Sequence, residues 1–200
     1  MDELRTPREP FRFRDPRQRE IYKRLLLIGP GPAAHFRDAC QIMEGNSNLD
    51  AASHLVAHLL REVENALRAV LESIVPSSVE DKGPCSSSNG HKTKIGAILN
   101  ALGIPHTDPI GKAWLDIAGS GETTLHGRAH RRHLAAPRPI DDEFRRFWLD
   151  MQAIFAAVLD RFETRFLDII PILDELKAKA APSRKDANSP LKKSLTRMVY

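Results

Sequence analysis

The chain has 200 residues, of which 42% are hydrophobic and 28% are charged, a balance typical of a globular domain in water. No apolar run approaches the roughly 20 residues that a membrane-spanning helix needs, and the charged, proline-broken N-terminus lacks the apolar centre of a secretory signal. Cys40 and Cys85 are too few and too far apart to indicate a disulfide framework or a zinc site, so we expect free thiols in a cytoplasmic protein.

The net charge of +4 is concentrated at the two ends of the chain. Residues 1–24 hold eight basic and five acidic side chains, and residues 177–200 hold seven basic and one acidic. We interpret residues 1–15 as a flexible arm and 179–200 as a disordered basic tail, flanking one helical domain at 16–178. Such a tail can attract nucleic acid or an anionic surface, and it can equally be a solvated linker.

The first half of the predicted domain contains three helices. A helix over 16–28 ends at the segment Gly29–Pro32, whose glycines and prolines do not continue a helix, and a second helix covers 32–44. That segment is a turn and not a phosphate loop, because no strand precedes it and its prolines lack amide donors. The third helix, over 49–74, has apolar residues at spacings of three and four, with Ser47 or Asn48 as its cap.

The second half is predicted to be helical as well. Residues 76–91 have the composition of a long surface loop, and short helices follow at 92–102 and 109–119. The last long helix is capped by Asp141 or Asp142, is kinked at Pro171 and buries an aromatic stripe that includes Trp148. Because no segment reads as a strand, we predict an all-α protein with a four-helix-bundle core and additional short helices.

One short segment, Leu125–His133, contains three histidines and three arginines. His126 and His130 are four residues apart and share a helix face, while Arg128 and Arg132 lie on a neighbouring face. Imidazole titrates near neutrality and guanidinium grips phosphate, so the segment has the groups needed to cut RNA without a metal. Its position before Pro137 suggests a helix C-terminus, where a histidine would be held protonated.

Other interpretations of the histidines remain open from the sequence. His126 and His130 have the spacing of metal ligands, but no third ligand is evident, so we expect no metal and no other cofactor. His54 and His58 form a second pair with the same spacing. They are either residues at the edge of the core whose hydrogen bonds are satisfied, or residues that face the segment Leu125–His133. In the second case they would orient that segment together with Arg61 and Glu62.

The segment Arg128–His133 resembles the signature of the HEPN-domain family, an arginine followed after four to six residues by a histidine. The resemblance also covers the long apolar helices on either side, over residues 45–176. Proteins of that family are four-helix bundles of prokaryotic toxin and antiphage systems. The resemblance implies metal-independent RNA cleavage at a site assembled across a homodimer, with Arg128 and either His133 or His130 as the catalytic pair.

The resemblance also implies roles for the other members of the segment. His126 would support the catalytic pair, and Arg131 and Arg132 would contact RNA or its phosphates. A partner defence or antitoxin protein would be a further binding partner, and no membrane is involved. The alternative function is a non-catalytic helical module that binds a partner protein or nucleic acid.

Overall fold

The computed structural model describes residues 11–45, 49–73, 75, 87–119, 121–130 and 138–166, with the backbone alone at 87–89 and 166. Within these ranges the chain forms seven helices and no strand, which confirms the predicted all-α class. The helices are α1 (Pro16–Ile28), α2 (Pro30–Met43), α3 (Ala52–Glu72), α4 (Ser87–Leu102), α5 (Pro109–Ile117), α6 (Leu125–Ala129) and α7 (Asp142–Phe166).

The core is built mainly by the four longest helices, α2, α3, α4 and α7, which supply most of the buried apolar side chains. Phe36 of α2 stacks on Trp148 of α7 with ring centroids 5.9 Å apart, and it meets Phe155 edge-on at 6.3 Å. The aromatic stripe predicted for the last helix is therefore buried. The chain divides into two units after Phe162, and this packing lies in the first unit.

Aspartate side chains cap three of the helix starts, of which only that of α7 was predicted. Asp15 accepts a hydrogen bond from Arg17 N at the start of α1, and Asp108 does the same for Ile110 N at α5. Of the two candidate caps for α7, Asp141 accepts from the backbone N–H of Phe144 at 2.8 Å. Because proline fits the first turn of a helix, α2 begins at Pro30 and not at Pro32. The predicted turn over Gly29–Pro32 is therefore wrong except at Gly29, which separates α1 from α2.

The predicted loop at 76–91 is too long at its C-terminal end, because α4 already begins at Ser87. Serine and asparagine favour turns, but they are also common in the first turn of a helix, so composition does not separate the two. Helix α3 spans Ala52–Glu72, inside the predicted 49–74. Several predictions lie outside the described residues: the caps Ser47 and Asn48, Cys85, Pro171, most of the arm at 1–15 and the tail at 179–200.

Cys40 is a free thiol buried in α2, as predicted, and burial raises the pKa of this thiol above its ordinary value. Among the described helices, none is both long enough and apolar enough to cross a bilayer.

Candidate active site at the contact of α3 and α6

Helix α6 is a five-residue turn fixed by local contacts at its start. Thr124 Oγ1 accepts from the backbone N–H of Gly127 at 3.2 Å and donates to the carbonyl of Gly121 at 2.7 Å. Position 127 requires a glycine, because a Cβ there would overlap the Gly121 carbonyl and lie 2.8 Å from Glu122 Cα. The segment that holds the histidines is thereby pressed against the loop before it.

His126 and His130 lie together at the end of α6, as their spacing predicts. Their rings are 4.3 Å apart, and the backbone N–H of His130 donates to the carbonyl of His126 at 2.8 Å. His130 is the C-terminal cap of the helix and has extended backbone. Both side chains are exposed, so a ligand in solution can reach them.

The histidines of α3 continue this group into a row of four rings. His54 and His58 are 4.9 Å apart, and His58 lies 5.8 Å from His130. His54 Nδ1 also donates to the carbonyl of Arg128 at 3.2 Å, which ties α3 to α6. His54 is thus both satisfied by a backbone hydrogen bond and turned towards the cluster. We call His54, His58, His126 and His130 the histidine row.

The guanidinium that meets the histidine row belongs to Arg61 of α3. One of its terminal nitrogens donates to His130 Nε2, and the other lies 3.3 Å from Glu62 Oε1. Its Nε is buried and has no hydrogen-bond partner among the described residues. From the sequence alone, Arg61 is predicted at most to help orient the segment Leu125–His133. The signal that could have found it is the spacing of His54, His58 and Arg61, which places all three along one side of α3.

Arg128, the arginine of the motif, contacts a different helix. Its guanidinium lies 2.5 Å from Glu143 Oε1 of α7 and 4.8 Å from the ring centre of Phe147. Its Nε donates to the carbonyl of Thr123 at 3.0 Å, and 9% of the side chain is exposed. These contacts link α6 to α7, and the cation beside the histidines is supplied by Arg61 instead.

Two members of the histidine row have pKa values below their ordinary 6.5. For His58 the causes are loss of hydration, then the neighbouring His54 and Arg61, with Glu62 acting in the opposite direction. For His130 they are loss of hydration, then His126, Arg61 and the histidines of α3. The expectation that a helix C-terminus holds His130 protonated is therefore wrong. A five-residue helix has only a small dipole, and loss of hydration, followed by the neighbouring basic groups, outweighs it.

A cleft of about 220 Å³ opens beside the histidine row. Arg61 and His126 line it and so belong to both features, and its other polar lining residues are Glu64, Asn65 and His91. Its apolar lining is Trp114, Ile117, Ala118 and Leu125. Glu64 is buried and accepts from Trp114 Nε1 at 3.3 Å, and Arg68 Nε lies 3.4 Å from the same oxygen.

The remaining predicted site residues, Arg131, Arg132 and His133, lie outside the described residues. Within the described part of the chain, no group of three or more His, Cys, Asp or Glu side chains is arranged to hold a metal ion. Comparisons of the chain with protein-family models, with curated proteins and with solved structures gave no match.

Proposed function

We propose that this protein is a metal-independent endoribonuclease whose active site is the histidine row together with Arg61. The observation that carries the proposal is the convergence of two exposed imidazoles, on His126 and His130, with one guanidinium at the edge of a single cleft. Imidazoles can exchange the protons of a phosphodiester cleavage, and a guanidinium can bind its phosphate.

The proposed reaction is an internal transfer at phosphorus. The 2′-hydroxyl oxygen of one nucleotide attacks its own 3′-phosphate, and its proton passes to a neutral imidazole. The bond to the 5′-oxygen of the next nucleotide breaks, and that oxygen takes a proton from a second, protonated imidazole. The products are a 2′,3′-cyclic phosphate and a free 5′-hydroxyl, and no water or metal enters the step.

The electrostatics of the site suggest how the roles are divided. The lowered pKa of His130 favours its neutral ring, as the base requires, and in this proposal the acid is the His126 ring 4.3 Å away. Arg61 donates to His130 Nε2 in the free protein. A phosphate would compete for the same guanidinium, freeing Nε2 to accept the 2′-hydroxyl proton and stabilising the charge that develops on the phosphate oxygens.

The resemblance to the HEPN-domain family supports the same chemistry, with one change. The family's motif would assign the arginine to Arg128, whereas the contacts favour Arg61 for that role. Within this proposal the protein acts in the cytoplasm in antiphage defence or as a toxin, with a partner defence or antitoxin protein. RNA contacts by Arg131 and Arg132, and a catalytic role for His133, belong to the proposal as well.

A homodimer is part of the proposal, since the sites of that family are assembled from two chains. Five large apolar side chains in the described part of the chain are exposed and available for such an interface: Leu26 at 48%, Leu27 at 54%, Leu49 at 49%, Leu55 at 40% and Leu149 at 53%. Light scattering of the purified full chain measures the mass directly, and a monomer at micromolar concentration would contradict this part.

The test of the activity is digestion of single-stranded RNA by the full chain in excess EDTA. We expect fragments that end in a 2′,3′-cyclic phosphate, and no cleavage of the same sequence carrying 2′-O-methyl groups. RNA left intact under all conditions would overturn the enzyme proposal. If the intact RNA were nonetheless bound, the non-catalytic module would be the correct function.

A further inference from the structure

The cleft beside the histidine row is lined by basic side chains from three helices. Arg61 comes from α3, His91 from α4 and His126 from α6. His91 and His126 are exposed, and 26% of the Arg61 side chain is exposed, so a ligand in solution can contact each of them. The proposed cleavage step uses Arg61 and His126 but gives His91 no role.

The other polar side chains of the cleft are compatible with a bound anion. Asn65 is half-buried, and its Oδ1 accepts from a terminal nitrogen of Arg68 at 2.8 Å, which leaves its amide nitrogen as a donor. Glu64 is the one acidic lining residue in the described part of the chain. It is 6% exposed, and Arg68 Nε lies 3.4 Å from its Oε1, so its charge is paired and withdrawn from solvent. The groups open to a ligand are therefore donors, three of them on basic side chains.

The size of the cleft suits a small anion. Its volume of about 220 Å³ is below the roughly 300–1,000 Å³ of the pockets that enclose drug-sized ligands. A phosphate group has oxygen acceptors that point in several directions, so it can accept from donors on separate helices at once. Charge-assisted hydrogen bonds of this kind are about twice as strong as those between neutral groups.

We infer that this cleft is a second phosphate subsite, which binds the RNA phosphate next to the one that is cleaved, an inference that rests on the proposed function for its substrate. Arg61 and His126 line the cleft and also belong to the proposed catalytic group, so the two phosphate sites are adjacent. Successive phosphates of a strand are joined through one ribose. A strand with its scissile phosphate at His126 and His130 therefore brings a neighbouring phosphate to the cleft. His91 is specific to this subsite, where it binds phosphate and transfers no proton.

The first test measures binding without cleavage. Three dinucleotides with 2′-O-methyl riboses, which cannot be cleaved, carry no terminal phosphate, a 5′-phosphate or a 3′-phosphate. Titration of the full chain, followed by the NMR signals of the histidine rings, gives their dissociation constants. One terminal phosphate should tighten binding about tenfold, as a hydrogen bond between charged groups provides, and the end that carries it gives the direction of the strand. Terminal phosphates that add nothing at either end would overturn the inference.

Matched variants then assign the gain to the cleft. His91→Ala should reduce the gain to about twofold or less, because a phosphate donor is lost, and His91→Arg should restore it. Lys112→Ala is the control, since this exposed lysine of α5 does not line the cleft. Asn65→Ala should weaken the gain as well. A gain that survives in both His91→Ala and Asn65→Ala would overturn the inference, because the phosphate would then bind elsewhere.

Inorganic phosphate tests the source of the anion. It should compete with the phosphorylated dinucleotide only at a concentration about tenfold or more above that of the probe, because it lacks the contacts of the adjacent scissile phosphate. Tighter binding of inorganic phosphate than of the phosphorylated dinucleotide would overturn the RNA assignment.

Cleavage of a trinucleotide RNA in EDTA separates the inference from the proposed function. His91→Ala should raise KM about tenfold and leave kcat near that of the wild type, because the contact is made equally in the ground state and the transition state. Cleavage with an unchanged KM in His91→Ala would overturn the subsite and leave the nuclease standing. A phosphate gain that depends on His91, without any cleavage, would overturn the nuclease instead.

Discussion

The two faces of α6 carry basic side chains that are neighbours in sequence and yet have opposite surroundings. On one face, the Arg128 guanidinium is enclosed by a carboxylate, a carbonyl and aromatic rings, and 9% of its side chain is exposed. On the other face, the exposed rings of His126 and His130 meet Arg61 beside an open cleft. The first face packs α6 against α7, and the second presents titratable groups to solvent.

The difference shows that an arginine's partner decides what the arginine can do. Arg128 already has an anion, Glu143, within ion-pair distance, so a phosphate would have to displace it. Arg61 also has a carboxylate nearby, Glu62 at 3.3 Å, but its closest partner is the imidazole of His130, and its buried Nε has no partner within the described residues. A guanidinium in that second situation gains more by binding phosphate.

The largest expected effect comes from removing the two histidines on the solvent-facing side of α6. Replacing His126 and His130 together by alanine removes the proposed acid and base, so RNA cleavage in EDTA should fall by at least about 10²–10⁴-fold. Circular dichroism should be unchanged, because both side chains are exposed. His35→Ala is the control, since it removes a histidine of α2 that makes none of these ring contacts. Full activity in the double variant would place catalysis elsewhere.

The next prediction compares the two arginines directly. Arg61→Ala should lower the cleavage rate by about 10²–10³-fold, as loss of one charge-stabilising donor does, with the melting temperature close to that of the wild type. Arg128→Ala should do the opposite. It should lower the free energy of unfolding by roughly 1–2 kcal/mol, through the lost aromatic and carboxylate contacts, while the rate per folded molecule stays near that of the wild type.

This pair of variants has an outcome that would reverse the assignment. Urea titration followed by circular dichroism gives the unfolding free energies, and single-turnover cleavage gives the rates. If Arg128→Ala abolishes cleavage in fully folded protein and Arg61→Ala does not, the arginine of the motif is the functional one. The HEPN resemblance would then apply residue by residue.

The helices of this chain could be read from the sequence because their signals are local. Apolar spacing and prolines placed α1 and α5 within a few residues, and Asp141 capped α7 as one of two candidates. The start of α4 was misplaced because serine and asparagine are typical both of loops and of first helical turns.

Only the part of the site that depends on local spacing could be predicted from the sequence. The proximity of His126 and His130 follows from four-residue spacing, which is again local. The contact of His130 with Arg61 joins residues 69 positions apart and depends on how α6 packs against α3. The turning of Arg128 towards Glu143 depends in the same way on α7. Spacing in the sequence contains no information about either packing.

A further effect is expected at Gly127, which lies between the two faces of α6. A Cβ there would overlap the Gly121 carbonyl, so Gly127→Ala should displace α6 and cost about 2 kcal/mol or more in unfolding free energy, with lost cleavage. Gly31→Ala is the matched control. That glycine lies inside α2 with nothing within 4 Å of the added carbon, so stability should rise by up to about 1 kcal/mol. A neutral Gly127→Ala would show that the loop yields easily.

The smallest expected effect is the pH dependence of stability, and it also separates the two arginines. His58 and His130 have folded-state pKa values below 6.5, so the unfolded chain binds protons that the folded chain does not. Stability should therefore be highest above about pH 6.5 and fall as the pH is lowered through the window between that value and the folded pKa values. Thermal melts from pH 8 to pH 5 measure this dependence.

Arg61 is one cause of both lowered pKa values, whereas Arg128 is a cause of neither. Arg61→Ala should raise the pKa of His58 and His130 towards 6.5 and flatten the pH dependence, because the cationic neighbour is gone. Arg128→Ala should lower stability at every pH without changing its slope. Proton NMR titration of the histidine ring signals reads the pKa values directly. Titration curves that Arg61→Ala leaves unmoved would show that the electrostatic contact between Arg61 and the histidine row is absent in solution.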